Sequence, residues 1–173
     1  MKLVFDIETD DLKATKIWCL VAKDIESKQL YTYGPDQIDE GCQLLSEADE
    51  LIGHNIIGFD LPVLRDLTRF KTLGHGQKIV DTLVLSRLFD PVREAGHGLG
   101  TWGHKLRSNK IEFKEFSGGF TKEMLDYCIQ DVELNALVYF ALREESRGFS
   151  RESVELEHEV AEILKEQEKH GFL

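Results

Sequence analysis

Three short runs of β-prone residues open this chain, at 2–7 (KLVFDI), 16–22 (KIWCLVA) and 29–33 (QLYTY), each bounded by polar turn residues. The order of the elements behind them constrains the fold most. Ile38, Cys42 and Leu45 recur at helical spacing behind Pro35, which suits a helix start, and Leu51 to Gly53 reads as a fourth strand. After Gly58, the residues Leu61, Leu64, Leu67 and Phe70 are spaced by three, and Ile79-Val80 reads as a short strand feeding a helix over 82–89 that Pro91 stops. Gly96, Gly98 and Gly100 mark a loop, Trp102 to Leu106 reads as helical, and 110–120 is irregular around Gly118-Gly119. Thr121, with Met124 three residues on, opens a long helix to about Arg143. Strands first, then helices interleaved with strands, predict an α/β fold: one mixed β-sheet flanked by helices. From Ser150 the chain turns Glu-rich, with Val154, Glu157, Val160, Ile163 and Leu164 near one stripe of a last helix.

The chain has 173 residues, 42% of them apolar, enough for one ordinary core without a disulfide or metal staple. A net charge of −11 excludes a basic coat that would hold duplex nucleic acid by bulk charge. No apolar run could span a bilayer and the opening MKLVFDIETDD lacks a signal-peptide core, so a cytoplasmic protein with no membrane partner is expected. Cys19, Cys42 and Cys128 are odd in number and far apart, which argues for reduced thiols and against a zinc site.

Three stretches could carry chemistry. Asp6 and Glu8 end the first strand, where residues two apart share a face about 7 Å from each other, so both carboxylates can converge on one cation. About 1.4 Asp-x-Glu triplets are expected by chance and three occur, at Asp6, Asp24 and Asp131. A simple solvated pair therefore stands as the alternative. His54-Asn55-Ile56-Ile57-Gly58-Phe59-Asp60 joins a strand to a helix, where Asp60 reads equally as a helix N-cap or a ligand, and Phe59 offers a surface for a base. Tyr127 and Asp131 lie one helical turn apart on one face, and the apolar Leu125, Cys128, Ile129 and Val132 around them argue against a fully solvated surface pair. Two like charges about 5 Å apart repel by roughly 3 kcal/mol at an effective dielectric of 20. Four clustered carboxylates thus ask for divalent cations, and oxygen ligands favour two Mg²⁺ or Mn²⁺ ions over zinc.

The set FDIETD, HNIIGFD and YCIQD, in this order, resembles the three exonuclease motifs of the DEDD superfamily, tyrosine subclass. DTLVLSRL (81–88), GLGTWGHKL (98–106) and ELEHEVAEILKEQEKHGF (155–172) look like the proofreading domain of phage-type family A DNA polymerases and the helix that follows it. The resemblance implies a ribonuclease H-like fold and 3′-to-5′ removal of nucleotides from single-stranded or frayed DNA ends, releasing nucleoside 5′-monophosphates. It implies that Asp6, Glu8 and Asp131 hold a first metal, that Asp6 and Asp60 serve a second, and that Tyr127 orients the attacking water. For the DNA it implies Leu12 as a wedge between the last two bases, Thr9 and Asn55 as strand contacts, and Phe59 as a stacking surface where relatives often have tyrosine.

Lys105, Arg107, Lys110 and Lys114 gather positive charge suited to a few melted nucleotides. Phe113, Phe116 and Phe120 among them read as packing residues in preference to base platforms, and His104 as structural. The implied division is an exonuclease domain over 1–148 and, over 149–173, a helix resembling the start of a polymerase domain that is absent. A fragment or a separately encoded exonuclease is expected, its last helix free to dock a polymerase partner. A ribonuclease D-like enzyme on RNA ends and a non-catalytic strand-binding module are the competing readings.

Overall fold

The computed structural model describes residues 1–71, 76–108, 113 and 115–171. Its strands are β1 (Lys2–Thr9), β2 (Ile17–Asp24), β3 (Leu30–Tyr33), β4 (Glu50–Gly53) and β5 (Lys78–Asp81). Its helices are α1 (Ile38–Ser46), α2 (Asp60–Leu67), α3 (Thr82–Phe89), α4 (Leu99–Lys105), α5 (Lys122–Glu145) and α6 (Arg151–His170), with a 3₁₀ turn at Pro35–Gln37. The strands form one five-stranded sheet in the order β3-β2-β1-β4-β5. The first three pair antiparallel, as hairpin-connected neighbours do, while β1–β4 and β4–β5 are parallel. The expected mixed sheet flanked by helices is what forms.

Alternation along β1 sorts its residues between two cores. Leu3, Phe5 and Ile7 join Leu20, Leu51 and the apolar sides of α1 and α2 (Ile38, Cys42, Leu45, Leu61, Leu64). Val4 joins Val21, Ile52 and Val80 beneath α5, α3 and α4, whose Met124, Cys128, Val132, Leu85 and Trp102 are buried there. The even positions of β1 face α5. Asp6 and Glu8 therefore leave the sheet on the side where the longest helix crosses it.

Local chemistry sets the ends of the elements. Asp81 caps α3, accepting from the amides of Leu83 and Val84, and the Thr121 hydroxyl caps α5 by accepting from the Met124 amide at 3.1 Å. The spacing by three after Gly58 does not continue as helix: α2 ends at Leu67, which is exposed, and Phe70 reaches the core through a bend. That bend is made by Thr68, whose hydroxyl donates to the Leu64 carbonyl and accepts from the Phe70 amide. Gly100 lies within α4, not in the loop expected there, because the helix already starts at Leu99 behind Gly98. α6 begins at the Ser150 cap and packs on α3 and β5 without burying any residue fully. Val154 touches the core, the His158 ring accepts from the Asp81 amide at 2.9 Å, and Leu156, Ile163 and Leu164 stay exposed. Among the described residues no helix is long and apolar enough to cross a membrane.

Candidate active site

β1, the central strand, ends with a register irregularity between Glu8 and Thr9, so its last residues turn relative to β2. Glu8 is buried and Asp6 half-buried, both on the α5 side. α5 brings Cys128 to this region and carries the buried Asp131 three residues further along the same face. One ligating atom from each of Asp6, Glu8 and Cys128 lies within 4.8 Å of the others. The Cys128 thiol donates to the Asp6 carbonyl at 3.6 Å and to Asp6 Oδ2 at 3.7 Å. Burial first, then its hydrogen bond with the Cys19 thiol and the charge of Asp6, hold that thiol well above its usual range.

Asp60 is the first residue of α2, and the cap position before it, Phe59, makes no side-chain capping bond. The N-cap reading of Asp60 therefore fails. Its Oδ1 instead accepts from the Ile7 amide at 3.2 Å, between the two carboxylates of β1, and the residue is 3% exposed. Burial, and then the negative charge of Asp6, push the Asp60 carboxyl well above the usual carboxylate range.

The loop that presents Asp60 is organised by Asp81, a residue that none of the three motif stretches contains. Asp81 is 1% exposed; besides capping α3 it accepts from the Asn55 amide at 2.9 Å and the Ile57 amide at 3.1 Å. His54 adds a bond to the Thr82 hydroxyl at 2.9 Å. Asn55 holds a left-handed φ of 65°, and its side chain folds over Gly58, where a Cβ would stand 2.4 Å from Asn55 Oδ1 and push that side chain aside. An Asp preceding a helix start advertises a cap; nothing in the sequence shows its second oxygen reaching the Ile57 amide, 24 residues away.

Tyr127 is half-buried on α5, its ring centroid 5.9 Å from Phe113 and 6.0 Å from Phe116. Both phenylalanines pack against the α5-side core, and the Trp18 indole N–H donates to the Phe116 carbonyl at 2.8 Å, tying this segment to β2. They are packing residues, as expected. Leu12 is 87% exposed in the loop after β1, while Thr9 is buried, its hydroxyl donating to the Asp11 carbonyl at 2.9 Å. Asn55 is exposed and Phe59 packs partly on the α1–α2 core. A cleft of about 910 Å³ between α2 and α6 is walled by Leu12, Phe59, Arg65 and Lys165. It does not include Asp6, Glu8 or Asp131; Phe59 and Asp60, adjacent in sequence, lie where the two regions meet.

The expected basic segment is only partly available for phosphate. Lys105 is committed to Glu145 at 2.9 Å and lies 4.6 Å over the Trp102 ring. Arg107 and His104 are exposed, and Lys110 and Lys114 lie outside the described residues.

Acidic side chains from the end of a sheet strand, opposed by a long helix and supported by a buried aspartate, suit a divalent cation. The strand order β3-β2-β1-β4-β5 with helices on both faces is the ribonuclease H-like fold. No family model matches the chain. In sequence the chain is 28% identical, over 98% of its length, to the DNA-directed DNA polymerase of Enterobacteria phage T3. It spans about 33% of the length of the curated relatives it matches. In structure it resembles Brucella melitensis NrnC with bound Mg²⁺, with a TM-score of 0.70 at 16% identity, covering 98% of this chain and 86% of that one. It also resembles Escherichia coli RNase D, an exoribonuclease involved in structured RNA processing, with a TM-score of 0.67 at 15% identity over 96% of this chain and 45% of that one. These likenesses support the resemblance drawn from the motifs, to a polymerase-type 3′-to-5′ exonuclease domain.

Proposed function

We propose that this chain is a metal-dependent 3′-to-5′ exonuclease acting on single-stranded or frayed DNA ends and releasing nucleoside 5′-monophosphates. The observation that carries this reading is the gathering of Asp6 and Glu8 against α5, with Asp60 buried on the amide between them. Asp6, Glu8 and Asp131 would hold one divalent ion and Asp6 with Asp60 a second; oxygen donors favour Mg²⁺ or Mn²⁺. Such ions supply a water of lowered pKa and charge stabilisation at the attacking and leaving oxygens of a phosphodiester. The chain's own groups do the positioning. The Tyr127 ring packs beside Phe113 and Phe116, which supports a role for its hydroxyl in orienting the attacking water. Leu12, exposed at the cleft, would wedge between terminal bases, with Phe59 as the stacking surface and Thr9 and Asn55 as strand contacts.

DNA is preferred over RNA in this reading because the curated sequence relative is a DNA polymerase. Residues 1–148 are taken as the exonuclease unit. Residues 149–173 are the start of a connection to a polymerase domain, the partner whose surface the open stripe of α6 would meet. The test is release of mononucleotides from a 3′ DNA end in the presence of Mg²⁺ or Mn²⁺. Replacing Asp6 and Glu8 together by alanine should cut the rate by at least about a hundredfold, and Tyr127→Phe by about tenfold to a hundredfold. Full activity in the double variant would remove the site assignment. Faster cleavage of RNA of the same sequence would make it an exoribonuclease, and binding without cleavage a strand-holding module.

A further inference from the structure

α6 buries no side chain fully, yet one of its rings completes the backbone bonding of β5, the edge strand of the sheet. The Asp81 amide at the end of β5 donates to His158 Nε2 at 2.9 Å, across 77 positions of sequence. On its other side the ring places Nδ1 2.8 Å from the Val154 carbonyl. A carbonyl only accepts and an amide N–H only donates, so the two partners together fix the state of the ring: the proton is on Nδ1, and Nε2 offers a lone pair. The neutral imidazole makes both bonds. The imidazolium, with a proton on each nitrogen, can make only one of them.

That bond matters because of what else Asp81 holds. Its carboxylate accepts from the Asn55 and Ile57 amides of the loop that enters α2 at Asp60, so α6, the end of β5 and the Asp60 loop are joined in series through one residue. We propose that neutral His158 is a positioning residue of the site: by holding the Asp81 amide it fixes the carboxylate on which the Asp60 loop hangs. A proton taken up from solvent at Nε2 breaks the bond, frees α6 and loosens the loop. The effect on cleavage rests on the nuclease reading; the bond and its loss on protonation do not. The charged groups on the elements around α6 are Arg87 of α3, Lys78 and Asp81 of β5 and, across the cleft, Arg65 and Asp66 of α2. On α6 itself Glu155 and Glu162 lie one turn to either side of the ring, and His54, bonded to Thr82, is the other imidazole nearby.

NMR of the full chain, without metal or nucleic acid, tests the bond. At about pH 8 a long-range ¹H–¹⁵N spectrum should show His158 with its proton on Nδ1 and a bare Nε2, and the Asp81 amide should be protected from exchange. Between about pH 8 and 5 the ring should gain its second proton, and the Asp81 protection factor should fall about tenfold or more while the β1 amides stay protected. His158→Gln offers an uncharged oxygen where Nε2 stands, so its Asp81 amide should stay protected across the range. His158→Ala should lose that protection at every pH; the wild-type titration and the glutamine variant decide the matter if it unfolds. A proton on Nε2 at the upper end, a ring still neutral at the lower end, or Asp81 protection indifferent to the charge on the ring overturns the proposal.

A second arm follows the Mg²⁺-supported release of mononucleotides at both ends of that range. At the upper end His158→Ala should lower the rate about tenfold and His158→Gln should restore most of it. Toward the lower end the wild-type rate should fall about tenfold relative to that of His158→Gln, a change that a merely structural histidine would not produce. His54 is common to both proteins and cancels in the ratio. A ratio constant with pH, or a folded alanine variant as fast as the wild type, overturns the positioning role. The NMR result with no nuclease activity under Mg²⁺ or Mn²⁺ removes the nuclease reading and keeps the bond. Nuclease activity with a constant ratio does the reverse for the positioning role.

Discussion

At the scale of single residues, Asp60 sets stability against the metal-holding role proposed for it. Its carboxyl is raised by burial and by Asp6, so the folded chain holds a proton that the unfolded chain releases near the ordinary carboxylate value. Stability without metal should therefore decline as pH climbs from that ordinary value toward the folded one. Asp60→Asn keeps an oxygen for the Ile7 amide and removes the charge. In chelator at neutral pH this variant should melt higher than the wild type, by about 2–4 °C for each kcal/mol relieved, with a flatter dependence on pH and no nuclease activity. Thermal melts across pH in chelator measure it, and a lower melting temperature at neutral pH would contradict it. Asp10 shows the opposite sign at the surface. The Thr15 hydroxyl and then its amide hold the Asp10 carboxyl down at about 2, so its contribution is present above the unfolded value and is lost as pH falls through about 2. Carbon-detected NMR titration should find that midpoint, and Thr15→Ala should move it up toward the ordinary range.

At the scale of elements, Asp81 joins β5, α3 and the 54–59 loop through one carboxylate. Removing it takes the cap from α3 and leaves the Asn55 and Ile57 amides without their acceptor. Asp81→Ala should destabilise the chain by about 2–4 kcal/mol, from the lost cap and the stranded amides, as measured by denaturant unfolding. It should also depress activity although Asp81 touches no substrate in this reading, because the loop positions Asp60. The elements themselves were largely legible in sequence. Thr82–Phe89 is bounded by an aspartate cap and a proline, and α5 is announced by Thr121 and Met124. At Leu67 and Gly100 the fold departs from local spacing, which is overruled by a side-chain bond from Thr68 and by a helix starting behind Gly98.

At the scale of the whole molecule, a chain of net charge −11 gathers part of that charge into a largely buried pocket, so bound cations and folding are linked. Mg²⁺ at about a hundred times its dissociation constant should add about 2.7 kcal/mol, seen as a melting temperature higher by roughly 5–10 °C than in chelator. Equal melting with and without the ion would count against a folded-state cation site. The sequence by itself determined the strand-then-helix order, the α/β class, and the motifs in which Asp6, Glu8, Asp60, Tyr127 and Asp131 stand, because periodicity, caps and turn residues are local properties. It could not show that the Asp60 carboxylate turns to the Ile7 amide, that Asp81 anchors the loop, or that Lys105 is spent on Glu145. Nor could it place Cys128 beside Asp6: no ligand spacing marks that cysteine, and only the crossing of α5 over β1 brings its sulfur to the carboxylates. Those contacts join residues tens of positions apart, and their geometry exists only once the two faces of the sheet are packed.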